Sequence, residues 1–219
     1  MSVLTTTQEM DLARDLYRGH KIPKPALKIM DAATAELVNN SVASHALHPG
    51  DLAPDFILPD ADGRTVRLYT ELKRGPVVLV FYRGGWCVYC KIHLRGFQKA
   101  LPEFKAAGAR VLAISPQLPD QSLTTREKDK LAFPVLSDVG LHTTRAFGVA
   151  FELPKRLLDL YADFGHPLET FNGVEGCKEL PMPATFLIGA NRIVAYSHVE
   201  PDYTHRSEPL EILDLVREL

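Results

Sequence analysis

The chain has 219 residues, 46% of them hydrophobic and 24% charged, with a formal net charge of −2. This is the balance of an ordinary globular protein; it has neither the basic excess that suits nucleic acid nor an acidic tail. No apolar run approaches the roughly 20 residues of a membrane span. Met1 to Met10 lacks the basic-then-apolar pattern of a secretory leader, so the expected location is the cytoplasm. Three cysteines, a small odd number, argue against a secreted disulfide framework. In a reducing compartment a close pair is more often catalytic or metal-binding than structural.

Residues 7–47 read as helical. Met10, Ala13, Leu16 and Tyr17 form a weak stripe, interrupted by Pro23 and Pro25. A stronger one, Leu27, Met30, Thr34, Leu37, Val38 and Val42, follows at spacings of three and four, with Pro25 suited to its first turn. The simpler expectation is a helical arm packed on its own core, and the sharper one a dimerisation arm. The turn cluster His48-Pro49-Gly50-Asp51 marks the expected boundary between an N-terminal extension, 1–48, and a main domain, 49–219.

Beyond it, residues 53–60 and 65–69 read as two short strands joined by a hairpin. Val77 to Tyr82 is an apolar strand that stops at Gly84-Gly85. Cys90, Leu94, Phe97, Leu101 and Phe104 then mark one helix face, with a kink expected at Pro102. Arg110 to Ser115 is a second strand, 123–130 a short surface helix, 133–138 a short strand, and 141–148 and 153–164 further helices. Residues 165–180, which include Cys177, have loop composition. Ala184–Ile188 and Ile193–Ser197 form a late strand pair, followed by a final amphipathic helix through Leu219. Early alternation of strand and helix implies parallel β-α-β crossovers, and the late pair implies an antiparallel edge. The expected fold class is α/β, a mixed central β-sheet with helices on both faces.

The chemistry concentrates in Phe81-Tyr82-Arg83-Gly84-Gly85-Trp86-Cys87-Val88-Tyr89-Cys90. Cys87 and Cys90 share one face of a first helical turn. There the free N–H groups and the macrodipole lower a thiol pKa, to roughly 3.5–7.5 in such sites. Arg83, Lys91 and Arg95 add positive potential. The competing reading is a pair of inert buried thiols; the strand–Gly-Gly–Trp-Cys context favours redox use. A metal site built from Cys87, Cys90 and His93, completed by Cys177 or His166, has ligand-like spacing but no second tight pair. No metal or other cofactor is expected, and His93 reads as a solvent-facing helix residue. Haem attachment is excluded because Lys91 follows Cys90.

Trp86-Cys87-Val88-Tyr89-Cys90, with Pro183 and Thr185 before a late strand, resembles the thioredoxin fold. Gly50 to Phe56, Val77–Tyr82, Val111–Ser115, Phe133 to Asp138 and Ala184–Ile188 resemble, in order, the peroxiredoxins of the alkyl hydroperoxide reductase / thiol-specific antioxidant type. The resemblance covers about Asp51 to Leu219. It implies that Cys90 occupies the peroxidatic position, with Cys87 in place of the family's Thr, Arg83 in place of its Pro and Pro183 in place of its Arg. Arg206 resembles a second arginine of the family's site. The resemblance further implies a cis Pro183 against the dithiol, exposing the Met182 backbone to a substrate chain.

The expected function is a thiol-dependent peroxidase. A Cys90 thiolate takes oxygen from a hydroperoxide, Cys87 closes the disulfide, and a thioredoxin-like or small-thiol reductant restores the pair. The site residues are Cys90 and Cys87, with Arg83, Trp86, Met182, Pro183 and Arg206 at the substrate. The alternatives are a thioredoxin-like thiol–disulfide oxidoreductase, in which a more exposed Cys87 attacks first, and a non-catalytic redox sensor or binding module. A homodimer is compatible with each. Cys177 reads as a free thiol without a role, or as a distant resolving thiol.

Overall fold

The computed structural model describes residues 4–219. Five strands make the central sheet in the order β5 (Val135–Ser137), β4 (Arg110–Ser115), β3 (Val77–Phe81), β8 (Ala184–Ile188) and β9 (Val194–Val199). β3–β4 and β4–β5 are parallel, whereas β3–β8 and β8–β9 are antiparallel. The sheet is therefore mixed, with an antiparallel edge, as the order of elements predicts.

β3 is buried at every residue, and its side chains alternate between two cores, as the two-residue period of a strand requires. Val78 and Val80 join Leu94, Phe97 and Phe104 from α4 (Val88–Lys99) and α5 (Leu101–Ala106), and Ile212 and Val216 from α10 (Pro209–Arg217). Val77, Leu79 and Phe81 face the opposite core, with Leu68 of α3 (Leu68–Glu71), Phe147 beyond α7 (His142–Ala146), and Phe186. The break between α4 and α5 falls at Ala100, which leaves Pro102 in the first turn of α5, where its missing N–H costs little.

The N-terminal helices are not a separate core. α1 (Thr6–Leu16) places Met10 and Ala13 in the α4 core. It is held by a capping box at Thr5 and by the Lys99–Glu9 ion pair. A π-helical turn, Tyr17–Lys21, follows. α2 (Lys24–Asn39) then packs Ala26, Met30 and Ala33 against Leu157, Leu160 and Tyr161 of α8 (Lys155–Asp163).

Local pattern missed three details. The second strand of the early hairpin, β2 (Thr65–Arg67), which pairs with β1 (Ile57–Pro59), ends where α3 begins. β6 (Ala150–Glu152) pairs with β7 (Glu179–Pro181) across the region read as loop, which also contains α9 (Leu168–Asn172). These strands are three residues long and find each other only through tertiary contact, so periodicity carries no trace of them. α6 (Pro119–Lys128) lies where a surface helix was expected. Among the described residues, no helix is long and apolar enough to cross a membrane.

Phe147 is fully buried between Phe81 and Phe186, with ring centroids 5.2 Å from each. Phe147→Ala is expected to destabilise the fold by about 3–5 kcal/mol, read as a lower midpoint in urea unfolding.

Candidate active site at the start of α4

The turn that carries the thiols depends on its glycines. Gly84 has φ 154°, and a Cβ there would run into the Trp86 ring. A Cβ on Gly85 would meet the Thr125 hydroxyl. The Gly85 N–H donates to Gln117 Oε1 at 2.7 Å, and the Cys87 N–H to the Gly84 carbonyl at 3.1 Å. Cys87 is the extended N-cap of α4, and Cys90 sits in its first turn.

The two cysteines lie 3.1 Å apart without a disulfide. Both are buried, Cys87 at 5% exposure and Cys90 at 1%, so Cys87 is the more exposed of the two by a small margin. The difference between them is one of orientation. Cys87 lines a cavity of about 460 Å³, and Cys90 lies behind it.

Charge separates them further. Burial pushes the Cys90 thiol up, but the hydrogen bond from Cys87, the Arg206 and Arg83 charges and the Arg83 backbone N–H outweigh it and hold Cys90 well below the ordinary thiol value. The same hydrogen bond, with burial, drives Cys87 well above it. The directions of the two shifts favour a Cys90 thiolate accepting from a Cys87 thiol. Arg206 Nη2 approaches Cys90 Sγ to 3.6 Å.

Arg83 is 2% exposed. Its guanidinium donates to the Tyr161 hydroxyl. It lies 5.1 Å from the Trp86 ring centroid, 5.3 Å from that of Tyr161 and 4.5 Å from that of Tyr203. Burial acts to discharge it, but Tyr161 and the two cysteines more than offset this and it stays cationic. Trp86 stacks on His166 with ring centroids 5.4 Å apart.

Three expectations are corrected here. No cis peptide bond occurs among the described residues, so Pro183 is trans. The Met182 backbone does not face a substrate chain, because Met182 is fully buried and its N–H donates to the Val149 carbonyl at 2.7 Å. Pro183 is buried at a small hollow shared with Arg83, Tyr161 and Tyr203. His93 is also not solvent-facing. It is 1% exposed, its Nε2 lies 3.1 Å from the Ser207 carbonyl, and Ser207 Oγ in turn donates to Thr185 Oγ1 at 2.9 Å. Among the described residues no three His, Cys, Asp or Glu side chains gather as a metal-ligand group. Cys177 is half-buried, within 3.5 Å of Asn172 Nδ2.

Sequence reading did not assign to this site Tyr161, Tyr203 or the arm residues Tyr17, Lys21 and Met30, and weighed His166 only as a metal ligand; all of them line the cavity. They come from four separate stretches of chain and share no motif.

A mixed sheet whose central strand feeds a helix starting with two paired thiols defines a thioredoxin-fold dithiol protein. More particularly, the chain belongs to the AhpC/TSA family, whose model matches residues 49–197. It is similar to peroxiredoxin Bcp of Escherichia coli, 37% identical over 103 residues, which are 47% of this chain and 65% of that protein. It is also similar to the chloroplastic peroxiredoxin Q of Oryza sativa subsp. japonica, 29% identical over 214 residues, covering 96% of this chain and 86% of the relative. The chain spans just under two thirds of the length of several bacterial relatives that it matches. Among solved structures, peroxidoxin BcpB of Mycobacterium tuberculosis superposes with a TM-score of 0.61 at 25% identity, over 79% of this chain and 98% of that one. A PrxQ mutant of Xylella fastidiosa superposes at 0.62 with 18% identity, over 78% and 96%.

Two measurements probe the electrostatics. Arg206→Met removes the positive charge nearest the sulfur, so the thiolate titration of Cys90, followed by ultraviolet absorbance, should move to higher pH. His93 is held neutral, well below its ordinary value, by burial first and then by Arg206 and His198. The unfolded chain binds that proton near pH 6.5 and the folded one only at lower pH. Stability is therefore complete above about pH 6.5 and declines as the pH falls below it. His93→Gln should flatten that acid limb in urea midpoints measured across the range.

Proposed function

We propose that the protein is a thiol-dependent peroxidase that reduces organic hydroperoxides through Cys90 and Cys87. The observation that carries this reading is the placement of Cys90, 3.6 Å from the Arg206 guanidinium and 3.1 Å from the Cys87 sulfur, with its thiol held well below the ordinary value. Membership of a family whose named relatives are peroxiredoxins supports it.

In this reading the Cys90 thiolate attacks the terminal oxygen of R–O–O–H. The O–O bond breaks, Cys90 becomes S–OH, and RO⁻ departs beside Arg206 and Arg83, which stabilise the developing charge. The Cys87 thiol gives RO⁻ its proton. The resulting Cys87 thiolate then attacks the Cys90 sulfur, expelling hydroxide, which takes a proton from solvent to become water. Because the sulfurs already adjoin at a helix start, the disulfide closes without unwinding α4. A thioredoxin-like or small-thiol reductant returns two electrons and two protons. Such chemistry fits a reducing compartment such as the cytoplasm. Residues 1–48 are read as an extension of the 49–219 domain, and a homodimer is compatible with both.

A thiol–disulfide oxidoreductase is the second reading, favoured by the position of Cys87 at the cavity. Against it stand the raised Cys87 thiol, a poor nucleophile at neutral pH, and the engaged Met182 N–H, which offers a substrate strand nothing to pair with.

The test compares wild type, Cys87→Ser and Cys90→Ser for peroxide consumption with a thioredoxin system and for reduction of a model protein disulfide. Peroxide turnover should vanish in both variants. Cys87→Ser should accumulate a Cys90 sulfenic acid trappable with dimedone, and Cys90→Ser should form none. Arg206→Met should slow the oxidation step by on the order of 10²–10³. Peroxide-resistant thiols in a wild type that still reduces disulfides would overturn the peroxidase reading.

A further inference from the structure

The cavity over the dithiol is completed by a part of the chain outside the family match. Tyr17, Lys21, Ile22, Pro23 and Met30 line it opposite the α4 turn, whereas the family model begins at residue 49. The arm is secured there. Arg18 pairs with Asp31 at 2.6 Å, Arg14 Nε donates to Thr204 Oγ1 at 3.2 Å, and Arg156 of α8 pairs with Glu36. A π-helical turn, Tyr17–Lys21, brings Tyr17 and Lys21 to the wall, and such turns are frequent at functional sites.

The chemistry of the wall is one-sided. It carries three cations, Lys21, Lys91 and Arg83, and no Asp or Glu. Neither lysine is in an ion pair among the described residues. The phenols do not supply negative charge, because burial raises Tyr161, Tyr203 and Tyr89, the last to about 12. Four lining residues hold a buried polar atom with no partner: Arg83 Nε, Trp86 Nε1, Tyr89 Oη and His166 Nδ1. Arg83 is 2% and Tyr89 3% exposed. Arg83 Nε and Trp86 Nε1 are donors only, and their lack of a partner marks the wall as polar beneath its aromatic surface. The remaining wall is aromatic and aliphatic, and about 460 Å³ is the size of a small-molecule site rather than a passage for hydrogen peroxide.

We propose that the N-terminal arm makes this cavity a selective site for ring-sized, apolar organic hydroperoxides that carry a negative charge, with Lys21 and Lys91 reading the charge. The peroxide-reducing half of this inference rests on the peroxidase reading; the binding half does not. An apolar body fills the aromatic wall, and its carboxylate faces the two lysines.

The chain has a single tryptophan, Trp86, which lies in the wall, so its fluorescence reports occupancy without turnover. The probes are cumyl alcohol, its para-carboxylate and the methyl ester of that carboxylate, titrated into reduced Cys90→Ser protein. The carboxylate should bind about tenfold or more tightly than the ester. Lys21→Glu should cancel that preference, and Met30→Ala should weaken both ligands. With wild type and the matching hydroperoxides, kcat/KM for the carboxylate should exceed that for the ester by a similar factor, and Lys21→Glu should bring the ratio towards one.

Equal affinity for carboxylate and ester, or a preference that survives both Lys21→Glu and Lys91→Glu, would overturn the inference. Selective binding without hydroperoxide turnover would leave the ligand class standing and remove the peroxidase reading. Turnover without selective binding would do the reverse.

Discussion

The site is organised around a buried cation that has no carboxylate. Removing a guanidinium from water costs several kcal/mol unless charge or dipoles replace the lost hydration. Arg83 sits at the end of β3, where every neighbouring position is core. Among the described residues no Asp or Glu pairs with it. Three aromatic faces, each worth on the order of 0.5–2 kcal/mol when desolvated, and the Tyr161 hydroxyl replace part of the hydration. The anion is the Cys90 thiolate. Arginine and thiolate each make the other's burial tolerable, and Trp86, Tyr161 and Tyr203 are held in place by the same need.

This pairing makes two chemically identical side chains unequal. Both cysteines gain from the start of α4, yet only one can be the anion, since two thiolates 3.1 Å apart would repel strongly. The hydrogen bond from Cys87 favours charge on Cys90, and Arg206 approaches that sulfur. The loop of Arg206 is fixed by the buried contacts of Ser207 with Thr185 on β8 and His93 on α4. The sheet, the helix and the C-terminal loop are thereby tied together at the sulfur. The arm closes the other side, so Cys87 opens onto a walled cavity, with Cys90 behind it.

Several features were legible from residues alone because they depend on neighbours in the chain. The strand–Gly-Gly–helix turn is one: Gly84 needs a positive φ, and both glycines lie too close to another side chain to carry a Cβ. The α4 stripe from Cys90 to Phe104, the break near Pro102 and the mixed order of strands are others. Arg83 and Arg206 could be named because they stand at positions matched to a family. Pro183 shows the limit of that method. The residue is where the pattern puts it, but its peptide bond is trans and the adjoining Met182 N–H is consumed by Val149, at the end of a β6–β7 pairing that no local pattern announces.

By itself, then, the sequence determined that two thiols stand at a helix start after the central strand of a mixed α/β sheet, because strand period, glycine geometry and helix period are properties of contiguous residues. Which sulfur carries the charge, and what the thiols face, were decided only in three dimensions. The inequality of Cys87 and Cys90 comes from the hydrogen bond that Cys87 gives Cys90, in the field of two guanidinium groups more than 100 residues apart in the chain, Arg83 and Arg206. The cavity wall comes from an arm, α8, the 203–206 loop and the α4 turn. Electrostatic potential and enclosed volume are sums over everything nearby in space, and no window along the chain contains them.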